Sequence, residues 1–259
     1  MLDAIILGLV QGLTEFIPVS SSGHLILMGE WLQFDGSLTF DIALNIGTLL
    51  ALLIFFRRDF YELALALFKR QEKSRLAWLI VLGTIPAIIL GVLLQDLAET
   101  TFRSEILVAV NLVVVALLML IVDRYARHTL ELKQLTVPRA LGIGMAQSVA
   151  LIPGISRSGA TITTAMAMGF KGEAATRFSF LLSAPIIFGA TLKVLLEGEN
   201  MAQISATPAI FTAGIVAAFI SGYLAIKFML TYLARHGLSV FAYYRIGLAV
   251  VVLLLATVQ

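Results

Sequence analysis

The stretch Glu15-Phe16-Ile17-Pro18-Val19-Ser20-Ser21-Ser22-Gly23-His24 interrupts an apolar segment with a proline, three serines, a glycine and a histidine. A second interruption, Pro153-Gly154-Ile155-Ser156-Arg157-Ser158-Gly159-Ala160-Thr161, has the same character. They lie within the stretches 1–31 and 140–172, each apolar at both ends. A helix carried straight through such a break would leave backbone groups unpaired. Irregular backbone at membrane depth is tolerated only where protein or a wet cavity surrounds it. Both stretches therefore read as re-entrant hairpins: a helix, a polar loop, and a helix that returns to the side it came from.

The membrane setting comes from the rest of the chain. Of its 259 residues, 59% are hydrophobic and 13% charged, against about a quarter charged in soluble domains. Six further segments approach the roughly 20 apolar residues that span a bilayer: 38–56, 77–95, 105–123, 177–196, 208–230 and 241–258. The expected fold is an all-α polytopic membrane protein, one domain over 1–259, with six spanning helices and two re-entrant hairpins. No basic run follows Met1, so the first apolar stretch is expected to stay in the mature protein. The absence of cysteine excludes disulfides and thiolate chemistry. A net charge of +2 does not argue for nucleic acid.

Connectors 57–75, 124–139 and 231–240 are basic, whereas 96–105 and 197–200 are acidic. Lys and Arg favour the cytoplasmic side, so the first group is expected inside and the second outside. Sliding the chain by 136 positions aligns the two breaks: Gly8 with Gly144, Gln11 with Gln147, Ser20 with Ser156, Ser22 with Ser158, Gly23 with Gly159. Each half, approximately 1–124 and 139–259, would be one hairpin followed by three spans. Three is odd, so the halves would be inverted relative to each other and their polar tips would meet near the midplane. Such an architecture is frequent in transporters but does not by itself decide between transport and catalysis.

Charges at the bilayer centre cost about 2.5–3.5 kcal/mol on insertion scales, so Glu15, His24 and Arg157 are candidates for function. The serines suit N-caps of the helices that follow, and exposed N–H groups at helix starts attract anions. With Arg157 between two such starts, a phosphate group is the natural ligand. Glu15, close in sequence to His24 and the serines, suits a general base. Ser21 or His24 would be the nucleophile on phosphorus. Alternatively Glu15 helps hold a divalent cation that keeps waters and substrate phosphates as its other ligands. Arg177 and Arg245 are expected to start helices near an interface, Lys227 to lie near a helix end and Lys193 to snorkel, all in structural roles.

At these residues the chain resembles the bacitracin-resistance family of undecaprenyl-diphosphate phosphatases. The family's (E/Q)xxxE motif is matched by Gln11-Gly12-Leu13-Thr14-Glu15, followed by Ser20-Ser21-Ser22-Gly23-His24. Its PGxSRSxxT signature is matched by Pro153 to Thr161. The resemblance implies removal of the terminal phosphate from a polyprenyl diphosphate, yielding the monophosphate carrier used in cell-wall synthesis. It implies catalytic roles for Glu15, Ser21, His24 and Arg157. It also implies phosphate contacts from Ser156, Ser158 and Thr161; Gln11, Ser20 and Ser22 are further candidates for phosphate binding. A divalent cation, Mg²⁺ or Ca²⁺, is implied as cofactor with Glu15 as a ligand, although Gln11 stands where a second carboxylate could be. The implied location is the bacterial cytoplasmic (inner) membrane. Expected partners are the lipid diphosphate and membrane lipids, with a homodimer as an open alternative and no nucleic acid. The competing reading is a polyprenyl-phosphate transporter or flippase with a midplane site. Ser22-Gly23-His24 and Ser156-Arg157 also mimic pieces of the phosphatidic-acid phosphatase signature. That signature needs a further His and Asp after its arginine, and the next histidine after Arg157 is His236.

Overall fold

Apolar runs without a neighbouring strand must pair their backbone groups internally, and helices do this. The computed structural model describes residues 1–32, 38–69, 73–93 and 104–256. These form twelve α-helices and a short 3₁₀ turn at Leu132–Gln134. The first break separates α1 (Leu2–Phe16) from α2 (Ser21–Leu32), followed by α3 (Leu38–Phe55), α4 (Arg57–Phe68), α5 (Ser74–Leu93) and α6 (Glu105–Tyr125). The second break separates α7 (Val137–Val149) from α8 (Arg157–Ala167). After it come α9 (Gly172–Leu196), α10 (Gly198–Ala206), α11 (Pro208–Leu233) and α12 (Ser239–Ala256).

Four of these, α5, α6, α9 and α11, are long and apolar enough to cross a membrane. With them the chain is an all-helical, multi-pass membrane protein. The other two expected spans come out differently. The helix α3 continues after a bend of 80° into α4, where a basic connector was expected. The reason lies in the pattern of α4: Leu63 and Ala66, three apart, are buried, while Arg57, Arg58 and Glu62 are exposed. Asp59 of α4 accepts from Arg177 of α9 at 2.6 Å and pairs with Lys73 at 3.5 Å, so Arg177 has the expected structural role. The helix α12 is apolar but shorter than a full crossing. Of the acidic connectors, 197–200 opens the short, exposed helix α10, and residues 96–103 lie outside the described residues.

The helices pack by close approach of small residues, as membrane helices do. The helix α1 lies on α11, and α7 lies on α5. A Cβ built on Gly8 of α1 would strike the carbonyl of Gly214, and one on Gly144 of α7 would strike the carbonyl of Gly83. A side chain at either position forces two helix backbones apart, and overpacking of this kind costs about 1–3 kcal/mol. The variant Gly144→Val is therefore expected to lower the thermal unfolding midpoint in detergent. Gly247→Val, at a position where a Cβ meets nothing within 4 Å, should not. Equal midpoints for the two variants would contradict the packing account.

Candidate active site

Both breaks turn at a serine in a conformation that L-residues rarely adopt. Ser20 has φ 75° and Ser156 φ 71°, and among the described residues no other non-glycine residue has positive φ. Such backbone costs about 1–3 kcal/mol and persists only when its surroundings hold it. The hydroxyls contribute: Ser156 Oγ accepts from the Gly159 N–H at 3.1 Å, and Ser20 Oγ from the Gly23 N–H at 3.5 Å. In each loop the hydroxyl also lies 3.3 Å from that of the serine two residues on. The two positions are the pair matched by the 136-residue shift.

Arg245 ties the loops together. It is fully buried, which corrects the expected interfacial position. Its guanidinium donates to carbonyls of both breaks: Pro18 at 3.2 Å, Gly154 at 2.7 Å and Ile155 at 3.2 Å. It also donates to Asn111 at 3.3 Å and Leu112 at 3.2 Å on α6. Five donors in a planar fork let one side chain satisfy carbonyls from three segments. Ser158 adds a direct link, its Oγ donating to the Ile17 carbonyl at 3.2 Å.

With the loops joined, Glu15 at the end of α1 meets Arg157 at the start of α8. Arg157 donates through one terminal nitrogen to Glu15 Oε1 at 2.9 Å and through the other to the Ser183 carbonyl at 3.4 Å. Both ionic side chains are largely buried, at 15% and 13% exposed, so each depends on the other for neutralisation. The second carboxylate oxygen, Glu15 Oε2, accepts from Ser21 Oγ at 2.6 Å and from Gln11 Nε2 at 3.1 Å. Gln11 Nε2 also donates to Asn45 Oδ1 at 2.8 Å. A cavity of about 200 Å³ opens on this cluster, lined by Gln11, Glu15, Ser21, Ser22, Asp41 and Asn45 on its polar side.

The remaining predicted residues are placed elsewhere. His24 is not bonded to Glu15 or Ser21. Its Nδ1 lies 2.7 Å from the Ser20 carbonyl, and its Nε2 lies 2.7 Å from the Tyr244 hydroxyl, with the two rings stacked. A carbonyl can only accept, so Nδ1 carries the proton and Nε2 accepts from Tyr244. Ser21 opens the helix and reaches back to Glu15, whereas His24, in its first turn, is held by the Ser20 carbonyl and by Tyr244 of α12. Thr161 donates to the Arg157 carbonyl at 2.8 Å and lies 2.6 Å from Ser179 Oγ. Ser20, Ser156, Ser158 and Thr161 thus use their hydroxyls to shape the loops and lie outside the cavity lining.

Sequence reasoning missed Asp41 and Asn45 on α3, and Tyr244. A signal was available for the first two: polar residues four apart in a segment otherwise apolar share one helix face. Tyr244 carried no such signal.

The comparisons bear on this geometry. The bacitracin resistance protein BacA family matches residues 4–251. The undecaprenyl-diphosphatase of Rubrobacter xylanophilus is 45% identical over 267 residues, covering 97% of each chain. That of Caldicellulosiruptor bescii is 43% identical over 256 residues, covering 97% of this chain and 96% of its own. That of Methanosphaera stadtmanae is 38% identical over the whole of this chain. With a family match over residues 4–251 and relatives of 38–45% identity along nearly the whole chain, the chain belongs to the bacitracin resistance protein BacA family.

Proposed function

We propose that the protein is an integral membrane phosphatase of the bacterial cytoplasmic membrane. It hydrolyses undecaprenyl diphosphate to undecaprenyl phosphate and inorganic phosphate, and so recycles the lipid carrier for cell-wall synthesis. The observation that carries this reading is the serine hydroxyl on a carboxylate whose other oxygen holds a buried arginine. Relatives at 38–45% identity are named undecaprenyl-diphosphatase. A carrier protein has no need of a hydroxyl poised on a base, which favours hydrolysis over transport. Phosphate release from undecaprenyl diphosphate by purified protein in detergent is the test, and no release above a detergent blank would overturn the reading.

In this mechanism the terminal phosphate enters the cavity and takes Arg157 as its cationic partner. Glu15 accepts the Ser21 proton as Ser21 Oγ attacks the terminal phosphorus. The bond from that phosphorus to the bridging oxygen breaks, and the lipid monophosphate leaves. Glu15 passes that proton to the departing lipid phosphate, then takes a proton from the water that attacks the phosphoserine and returns it to Ser21 Oγ as inorganic phosphate is released. The expected result is a phosphoryl group trapped on Ser21 after rapid acid quench, retained in His24→Gln and lost in Ser21→Ala. Trapping on His24 would reverse the assignment of nucleophile.

A divalent cation, Mg²⁺ or Ca²⁺, fits the cavity. Among the described residues no three His, Cys, Asp or Glu side chains cluster, so a cage of protein carboxylates is not available. The cavity wall nevertheless joins Glu15 and Asp41 with Gln11 and Asn45, and the Gln11 Oε1 atom is buried without a partner among the described residues. Oxygen donors of this kind suit a hydrated hard cation. When bound it would withdraw charge from the phosphate oxygens.

The finer architecture we infer is an inverted repeat, with α1–α2 and α7–α8 as re-entrant hairpins and six crossings. Three pairings support it. The strained serines Ser20 and Ser156 match at the repeat offset. The repeat mates Gly8 and Gly144 each meet a helix of the opposite half. Finally, α3 packs on α9 and α6 on α12, each helix on its own counterpart.

A further inference from the structure

A second cavity, of about 730 Å³, lies beside the polar one between α3, α5 and α9. Ile42 of α3 belongs to the walls of both. The larger cavity has an apolar floor that includes Ile88, Ile186 and Leu151. Its polar side chains stand together and are bonded to one another: Thr39 donates to Asn200 at 2.7 Å, Asn200 to Glu197 at 2.7 Å, and Lys193 pairs with Glu197 at 3.7 Å. They satisfy each other and leave the floor free for hydrocarbon.

The repeat explains why the two cavities differ. The 136-residue shift places Leu151 against Glu15. Glu15 lines the small cavity, and Leu151 lines the large one. Equivalent positions of the two halves thus face adjoining spaces, one lined by Glu15 and Asp41, the other by an apolar floor with a self-paired Lys193 and Glu197. Two glycines in the larger wall keep it open: a Cβ on Gly91 or Gly189 meets nothing within 4 Å. At Pro185 the cavity abuts a third groove, lined by residues such as Leu49, Phe60, Leu181 and Phe188. An apolar path therefore runs from Ile42 towards the lipid-facing surface.

A lipid diphosphate is a doubly charged head joined to a branched hydrocarbon. Adjoining spaces of about 200 Å³ and 730 Å³, the first opening on Glu15 and Ser21 and the second on a floor of Ile88, Ile186 and Leu151, match its two parts. We propose that the larger cavity holds the first isoprenoid units of the substrate tail, with Ile42 at the junction of head and tail. This rests on the phosphatase reading, and it assigns the second repeat a task of its own: selecting for a prenyl chain.

The test fills the cavity. Gly189→Leu and Gly91→Leu insert side chains into open space without striking backbone, and Gly247→Leu, equally open but on α12, is the control. For both cavity variants KM for undecaprenyl diphosphate should rise roughly tenfold or more, the scale on which apolar pockets discriminate, with kcat retained. The inhibition constant of dimethylallyl diphosphate, which has the same head and almost no tail, should not change. Equal weakening of both ligands, or of neither, overturns the proposal, and so does a change in unfolding temperature with no change in their ratio. Absence of phosphate release by the unmodified protein is a different failure, that of the phosphatase reading itself.

Discussion

Glu15→Gln is expected to reduce kcat/KM for phosphate release by about a thousandfold, within the range for loss of a general base. Glutamine keeps the shape of the side chain and its bond to Ser21, but it cannot take the serine proton. It also leaves Arg157 without the carboxylate that it meets at 2.9 Å. Arg157→Ala should cost a similar factor, because it removes the guanidinium that pairs with Glu15 and leaves that carboxylate buried and unpaired. Arg157→Lys separates charge from geometry. A lysine supplies the charge but cannot reach Glu15 and the Ser183 carbonyl at once as the planar fork does, so it should recover only part of the loss. Steady-state phosphate release in detergent is the measurement. Full turnover in both Glu15→Gln and Arg157→Ala would end the assignment of this cavity as the active site.

Arg245→Met should be the most destabilising single substitution in the polar core, by about 3 kcal/mol or more, given the cost of buried acceptors left without donors. The side chain is fully buried and serves carbonyls from the first break, the second break and α6. Methionine conserves volume while removing every donor, so the loss reports hydrogen bonding and not a cavity. Activity should fall as well, because the distance between Glu15 and Arg157 depends on the two loops staying joined. Arg245→Lys should restore little, since three donors on one nitrogen cannot span acceptors arranged around a fork. Thermal unfolding in detergent with parallel turnover checks both effects. A variant as stable as the parent would show that the loops are held by other means.

The two predictions differ in kind, and the difference tracks what was readable in the chain. Glu15 and Arg157 announce themselves as charges inside apolar sequence, which have few reasons to be there apart from chemistry. Arg245 is the same kind of charge, yet its place in the second turn of α12 suggested an interface. Nothing in its neighbourhood indicates that carbonyls 90 and 227 residues away gather around it. The pairing of Ser21 with Glu15, and of His24 with Tyr244, was equally out of reach. Sequence places His24 three residues from Ser21, close enough to share a helix face, but tertiary packing sets Glu15 against one and Tyr244 against the other.

Composition and hydropathy determined by themselves that this protein is helical and lives in a bilayer, because continuous apolar runs of about 20 residues suit spanning helices and not the shorter, alternating strands of a barrel. The repeated Ser/Gly breaks likewise identified where irregular backbone and charge would lie. Which of the predicted residues share one cavity was decided only by the fold. Hydrogen-bond partners depend on side-chain direction to within an ångström or so, and that direction is set by packing between helices far apart in the chain. Gln11, Glu15, Ser21 and Ser22 line the cavity, and Arg157 joins them through Glu15. Ser156, Ser158 and Thr161 shape the loop that presents Arg157. The neighbouring apolar space beside Leu151 exists only because α3, α5 and α9 leave it open.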